Sequence, residues 1–194
     1  MTRVLLTAFE PYDRWKENSS WLALIDLTRW YDGDLEFTTR RYPVDLSRMS
    51  EKLRDDMRGD YDLAVHLGQS PGSPLIKLES VGLNVRSGGT PLIDSAPAAY
   101  RSPLKLAETS RMLKDAGIPN EVSHHAGTFL CNAALYLSQH YAAEMSKHTQ
   151  SLFLHLPLTP AQAAKDDGRL ASMSTPMASA AIAMVSDQLA KQID

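Results

Sequence analysis

The only cysteine of this 194-residue chain, Cys131, lies in AGTFLCNAALY, where a predicted strand and turn give way to a predicted helix. In the first turn of a helix, unpaired backbone N–H groups and the helix dipole favour an anion, which is what a thiolate nucleophile requires. A lone cysteine is also among the residue types most often buried as a small apolar side chain. Position alone favours that structural role, so the nucleophile hypothesis needs partners elsewhere in the chain.

A cysteine nucleophile needs a base, and usually a third group that orients the base. His155 is the most suggestive of the six histidines. In SLFLHLP it faces opposite the leucines, near the carboxyl end of a predicted strand, and open α/β sheets bind ligands at such ends. A strand histidine without a partner is more often a core residue, so both interpretations stay open from position alone.

Glu79 in PLIKLESVGLNV is the candidate for the third group. A period of two places it on the same face as Lys77. The carboxylate is therefore either exposed at a sheet edge or buried with a partner such as a histidine.

The sequence predicts neither a metal site nor an organic cofactor. One cysteine and scattered histidines lack a recognisable zinc spacing. The turn HLGQSPGSP, residues 66–74, lacks the Lys-Ser/Thr ending of a phosphate loop and the glycine spacing of a dinucleotide fingerprint. This turn can still bring Gln69 and backbone N–H groups to a ligand.

The elements that must position these residues alternate along the chain. Extended segments are predicted at 3–9, 35–44, 63–67, 75–85, 121–125 and 152–156. Helices are predicted at 20–31, capped by Ser19 or Ser20, at 46–58, between Ser102-Pro103 and Gly117, at 130–144, and from 175 to about 192. The alternation predicts one α/β domain over residues 1–194, with three layers and a mostly parallel twisted sheet between helices on both faces. The Gly- and Pro-rich segment 86–101 is either a lid or substrate loop, or a plain surface excursion.

Composition limits the partners. With 43% hydrophobic and 22% charged residues and a net charge of −3, the chain gives no reason to expect nucleic acid or an acidic membrane surface. A small molecule or a peptide fits better. One cysteine cannot form an internal disulfide, and we find no secretory signal and no transmembrane segment, so a cytoplasmic location is expected.

Four stretches, in the same order along nearly the whole chain, resemble the pyroglutamyl peptidase I (pyrrolidone-carboxylate peptidase) family of cysteine peptidases. LLTAFEPYDRWKENSSW is similar to the family's TGFEPFGG…NPSW, and GQSPGSPLIKLESVGLN to its GQAGGR…LERVAIN. SHHAGTFLCNAALY is similar to SQTAGTFVCN, and FLHLPLTPAQ to FIHVPYLPEQ.

The resemblance implies a catalytic triad in which Cys131 is the nucleophile, His155 the general base and Glu79 the group that orients the base. It implies removal of an N-terminal pyroglutamyl residue from peptides, in a protein that commonly assembles as a homo-oligomer.

The resemblance also implies a substrate slot. A pyroglutamyl ring is flat and uncharged, so it suits aromatic walls with a few hydrogen-bonding groups. Phe9 and Tyr12 are candidate walls with Phe129 nearby, while Asn18 and Gln69 are candidates to fix the ring and the main chain. Packing in the core is the alternative for Phe9 and Phe129.

Two departures from the family pattern bear on activity. The arginine of the family's DARIPD stretch, which is thought to help hold the oxyanion, falls on Gly89, and Arg86 is the candidate replacement. The chain is also shorter than the family pattern around residues 93–97, and Asp13-Arg14 replaces a glycine pair at the predicted entrance. Two alternatives therefore stand beside a working peptidase: an impaired homologue that binds a lactam or a capped peptide, and a thiol amidase for another acyl group.

Overall fold

A computed structural model describes residues 1–166 and 169–193 of the chain. The strands are β1 Arg3–Phe9, β2 Glu36–Tyr42, β3 Leu63–Gln69, β4 Ile76–Glu79, β5 Val81–Leu83, β6 Ala99–Arg101, β7 Asn120–Ser123 and β8 Gln150–Leu156. The helices are α1 Ser19–Trp30, α2 Leu46–Asp56, α3 Leu106–Asp115, α4 Leu130–Glu144, α5 Pro160–Lys165 and α6 Thr175–Ala190. In these described residues, no helix is both long and apolar enough to cross a membrane.

The main sheet has the strand order β2-β1-β3-β8-β4-β7. Its neighbouring strands are parallel except for β4, which runs antiparallel to β8. The predicted α/β class with a mostly parallel sheet is confirmed, and one antiparallel junction divides the sheet. The strands β5 and β6 form a separate antiparallel ribbon.

Strand alternation divides the core between the two faces of the sheet. In β1, Val4 and Leu6 face one cluster, which also contains α1, α3 and α6 side chains such as Leu24 and Ile182. Leu5 and Phe9 face a second cluster built with α2 and α4. Successive strand side chains point to opposite faces, so a strand that is apolar throughout needs helices on both sides. The predicted three-layer arrangement follows from this pattern.

Several element boundaries differ from the prediction. The cap of α1 is Asn18, whose Oδ1 accepts from the Ser20 amide at 3.1 Å, so the helix begins at Ser19. The helix predicted to begin at Ser102-Pro103 begins at Leu106. The Ser102 amide donates instead to the Ser80 carbonyl at 2.8 Å, which holds the chain extended after β6.

The segment predicted as one extended run over 75–85 is divided at Ser80. Residues before it join the main sheet as β4, and residues after it join the small ribbon as β5. Gly82 in β5 lies against α4, where an added Cβ would come within 2.7 Å of the Tyr136 backbone.

The side-chain amide of Asn84 folds the segment that follows β5 onto itself. Asn84 Oδ1 accepts from the Leu92 and Ile93 amides at 2.9 and 3.0 Å, and its Nδ2 donates to the Ile93 carbonyl at 2.8 Å. The Tyr136 hydroxyl donates to the Pro97 carbonyl at 2.7 Å. The Asn84 bonds therefore hold the segment in shape, and the Tyr136 bond fastens it to α4.

Candidate active site

A cavity of about 750 Å³ opens where the carboxyl ends of the parallel strands β1, β3 and β8 meet. Phe9 ends β1, Gln69 ends β3, and His155 is the last residue but one of β8. All three line the cavity together with Cys131 and Glu79. Side chains that are far apart in the sequence therefore converge on one opening.

His155 and Glu79 form a direct pair, with 2.8 Å between Nδ1 and Oε1. The antiparallel register places Lys77 opposite His155 and Glu79 opposite Phe153, so both β4 side chains share a face with the imidazole. Glu79 is only 1% exposed, because β7 covers the other side of β4. The exposed-edge interpretation of Glu79 is wrong, and the buried interpretation with a histidine partner holds.

Both groups of this pair have shifted pKa values. Burial opposes the charge on Glu79, yet the hydrogen bond from His155, an interaction with Ser123 and the charge of Lys77 hold its pKa below the ordinary value. Burial likewise opposes the imidazolium, but interactions with Cys131 and Glu79 outweigh it and raise the pKa of His155 to about 9. The imidazole therefore retains a proton at neutral pH, between a sulfur and a carboxylate.

Cys131 is the second residue of α4, as the sequence predicts. The helix cap is Phe129, which carries no side-chain acceptor for the first-turn N–H groups. The next residue, Asn132, fixes the start of the helix: its Oδ1 accepts from the Leu83 amide at 2.8 Å and its Nδ2 donates to the Leu83 and Val85 carbonyls. Sequence reasoning assigned Asn132 no role, although it directly follows the cysteine in the matched stretch.

Gly68 leaves the space that the sulfur occupies. It lies in β3 beside His155 in the register. A Cβ added at Gly68 would come within 3.1 Å of Cys131 Sγ and 2.6 Å of the Phe153 ring. The absence of a side chain on β3 therefore lets the start of α4 approach the sheet beside His155.

The predicted slot residues all line the cavity, but they differ in exposure. Phe9 is buried against Tyr42 and Phe153, with ring centroids 6.4 and 6.5 Å away. Phe129 is 72% exposed, so core packing does not explain it. Tyr12 is half-buried and its hydroxyl donates to the Gln69 carbonyl oxygen at 3.3 Å.

The amide of Gln69 is oriented by its neighbours. Its Oε1 accepts from the Ser19 amide at 2.8 Å and from Gln162 Nε2 at 2.7 Å. Its own Nε2 is buried and has no hydrogen-bond partner among the described residues, which leaves one donor of this cavity-lining residue unused. Asn18 is buried, and both ends of its amide bond within the protein: Oδ1 caps α1, and Nδ2 donates to the Glu10 carbonyl at 3.0 Å.

The structure does not bring the two predicted arginines to the cavity wall. Arg86 is exposed and its Nε donates to Thr90 Oγ1 at 2.7 Å. Arg14 pairs with Asp166 at 3.0 Å and lies over the Trp15 ring. Segment 86–101 contributes nothing to the cavity lining, within the described part of the chain.

Other polar residues near the site were not assigned by sequence reasoning. Lys77 and His125 line the cavity. The short helix α5 also escaped prediction, although its T-P-A-Q start is a capping box in which Thr159 and Gln162 satisfy each other, and Gln162 then reaches Gln69.

The remaining buried histidine belongs to the core. His66 is fully buried, its Nδ1 lies 2.8 Å from Thr7 Oγ1, and burial lowers its pKa to about 3. Among the described residues, no three His, Cys, Asp or Glu side chains form a group suited to a metal ion.

A sulfur at a helix start, beside an imidazole that is oriented by a buried carboxylate, lies at the open edge of a three-layer α/β sheet. This fold and site define a cysteine peptidase. The family model described as pyroglutamyl peptidase matches residues 2–192, and the chain belongs to that family.

Individual relatives agree with this assignment. The chain is 32% identical to a pyrrolidone-carboxylate peptidase of Clavibacter michiganensis, a match that covers 100% of this chain and 96% of the relative. The solved pyrrolidone carboxyl peptidase of Fervidobacterium islandicum superposes with a TM-score of 0.92 at 30% identity, over 98% of this chain and 99% of that one. Pyroglutamyl peptidase I of Bacillus amyloliquefaciens also superposes with a TM-score of 0.92, at 26% identity, over 100% and 99% of the two chains.

The Glu79→Gln variant is expected to lower the pKa of His155 from about 9 by at least roughly one pH unit, because burial then acts against the imidazolium with less opposition. NMR titration of the imidazole signals measures this. The folded-state pKa of His155 lies above the unfolded value of about 6.5, so protonation of His155 stabilises the folded state. This stabilisation is complete below pH 6.5 and is lost as the pH rises through about 9. Glu121→Gln, at an exposed carboxylate on β7, is the control. An unchanged His155 pKa in Glu79→Gln would contradict the electrostatic account.

The Gly68→Ala variant is expected to displace the sulfur or the Phe153 ring and to lower kcat/KM by about 10²-fold, since small misplacements of reacting groups have effects of that size. Gly82→Ala is the matched control, because it crowds the Tyr136 backbone rather than the sulfur. Both variants are expected to lose about 1–3 kcal/mol of unfolding free energy to overpacking. Equal losses of kcat/KM in the two folded variants would show that Gly68 has no particular role at the site.

Proposed function

We propose that the chain hydrolyses the bond after an N-terminal pyroglutamyl residue, with Cys131 as nucleophile, His155 as general acid and base, and Glu79 as the residue that positions His155. The observation that carries the proposal is the 2.8 Å His155–Glu79 bond beside the Cys131 sulfur, at the mouth of a cavity large enough for a small ring. Membership of the pyroglutamyl peptidase family supports the same reaction.

In the proposed reaction, the Cys131 sulfur attacks the pyroglutamyl carbonyl carbon and forms a tetrahedral intermediate. Its oxyanion lies against backbone N–H groups at the start of α4. The imidazolium of His155 gives its proton to the departing amine, and the C–N bond breaks. Neutral His155 then takes a proton from water, whose oxygen attacks the thioester and releases pyroglutamate. Glu79 keeps the ring oriented throughout, with Nε2 free to exchange the proton.

The proposed slot matches the polar groups of a lactam. A lactam offers one carbonyl acceptor and one N–H donor. Gln69 offers the complementary pair, an unused Nε2 donor and a main-chain carbonyl that the Tyr12 hydroxyl already approaches. Phe9 and the exposed Phe129 supply apolar surface for the ring.

We also propose that the protein acts in the cytoplasm as a homo-oligomer. A single reactive thiol keeps its reduced form best in a reducing compartment. Trp30 and Met177 are exposed on neighbouring helices α1 and α6, where the Trp30 indole N–H donates to Ser179. Sedimentation velocity of the purified protein tests the assembly, and a single monomeric species at micromolar concentration would contradict it.

Hydrolysis of a pyroglutamyl-coumarin amide is the direct test of the function. We expect turnover, at least about 10³-fold loss of kcat in Cys131→Ser, and far slower hydrolysis of the prolyl-coumarin amide, whose ring lacks the lactam carbonyl. Undiminished activity in Cys131→Ser would rule out the assigned nucleophile.

Tight calorimetric binding of pyroglutamate without turnover would favour the impaired homologue, which the absence of both arginines from the cavity wall motivates. Preference for another aminoacyl-coumarin amide would favour the amidase.

A further inference from the structure

The cavity crosses the edge of the sheet in the order of the strands. Its lining residues along this edge are Val44 after β2, Phe9 on β1, Gln69 on β3, His155 on β8 and Lys77 on β4, and His125 lines it from the loop between β7 and α4. The groups assigned to the lactam therefore lie on the β1 and β3 side of His155. Lys77 lies on the opposite side.

This order gives the leaving peptide a direction. When the ring lies against Phe9 and Gln69 and its carbonyl carbon meets Cys131, the amine must reach His155 to receive a proton. The next strand beyond β8 is β4, and Lys77 is paired directly with His155. Directly opposed residues of antiparallel strands have Cα atoms about 4.5–5.5 Å apart. The first residue of the leaving peptide therefore passes close to Lys77.

Lys77 is the one lysine or arginine in the cavity lining, within the described part of the chain. Its side chain is 37% exposed, and its Nζ lies 3.7 Å from Glu121 Oε1. That distance is longer than a charge-assisted hydrogen bond, and the Glu121 side chain is 50% exposed. The ammonium group is thus paired loosely enough for another carboxylate to compete for it.

His125 lines the same cavity and supplies a second donor. The Gly127 amide donates to its Nδ1 at 3.1 Å. Because Nδ1 accepts, the proton of the neutral ring is on Nε2. Nε2 is therefore a donor, and it is not the atom that bonds to the backbone of its own loop. His124 is engaged elsewhere, with Ser80.

We propose that Lys77 and His125 form a subsite for a carboxylate on the first residue of the leaving peptide, so that the chain favours pyroglutamyl substrates with a negative charge immediately after the scissile bond. The inference rests on the proposed function. The carboxylate has two sources, the main-chain carboxylate of a pyroglutamyl dipeptide and the side chain of Asp or Glu. Glu121 competes for the same ammonium group, so its removal strengthens the preference.

The test compares kcat/KM within two substrate pairs that differ by one charge. Pyroglutamyl-alanine against pyroglutamyl-alanine amide reports on the main-chain carboxylate. Pyroglutamyl-glutamate amide against pyroglutamyl-glutamine amide reports on the side chain. The ratio within each pair cancels general effects of a variant on catalysis or folding. A preference for the charged member in either pair supports the subsite and identifies the source of the carboxylate.

We expect Lys77→Met to lower the favoured ratio about two- to five-fold, the range that an exposed charge pair supports. His125→Leu is expected to lower it as well, and Glu121→Gln to raise it. Lys114→Met removes an exposed charge from α3 and is expected to leave the ratio unchanged. Raising the ionic strength to about 1 M shortens the screening length to about 3 Å and is expected to bring the wild-type ratio toward that of Lys77→Met.

Ratios that stay equal in wild type, Lys77→Met and Glu121→Gln would overturn the subsite. If Lys77→Met does not fold, Glu121→Gln and the salt dependence decide the question alone. Failure of the proposed function is a separate result, since it would be seen as no hydrolysis of the uncharged pyroglutamyl-coumarin amide by the wild-type protein. Turnover of that amide with charge-independent ratios would remove only the subsite.

Discussion

The hydrogen bond between His155 and Glu79 depends on a strand that runs against its neighbour. If β4 were parallel to β8, as most of the sheet is, its amino end would lie at the opposite edge from the cavity. The reversal brings the start of β4 to the carboxyl end of β8, with Lys77 level with His155 and Glu79 two residue pairs deeper. The carboxylate therefore contacts the imidazole from within the sheet, where β7 shields it from water. Shielding makes the loss of a partner costly for either group, so the pair holds a single geometry.

The cysteine is set by contacts of a different kind. Its position depends on where α4 begins, and that point is fixed by Asn132 on the ribbon side and by the open space over Gly68 on the sheet side. The first contact is made by a side chain that takes no part in the reaction, and the second leaves room for the sulfur itself. The imidazole is thus positioned by the main sheet and the sulfur by the attachment of a helix to a peripheral ribbon. The site is accurate only when both attachments are intact.

Local pattern was sufficient to predict much of this architecture. β1 and α4 have the predicted boundaries, because a buried strand and a helix that follows a Gly-Thr turn have strong local signals. The predicted union of Cys131, His155 and Glu79 at one opening agrees with the geometry.

The direction of β4 could not be predicted from the sequence, since strand direction depends on which neighbour the strand meets and not on its own residues. The division at Ser80 and the short strand β6 had the same cause. Arg86 failed as a site residue because its guanidinium bonds to Thr90 within a segment that Asn84 folds onto itself, and this segment does not line the cavity.

The exposed ring of Phe129 links ligand binding to the stability of the domain. An aromatic ring left 72% in water beside the nucleophile contributes little to the stability of the empty protein. Covering a side chain of this size is worth about 1.5–3 kcal/mol, and this free energy becomes available only when a guest lies against the ring. Ligand binding therefore raises the thermal stability of the whole domain, and the gain grows with the area of the Phe129 ring that the ligand covers. The helix that carries the sulfur would gain the most, because Phe129 directly precedes its first residue.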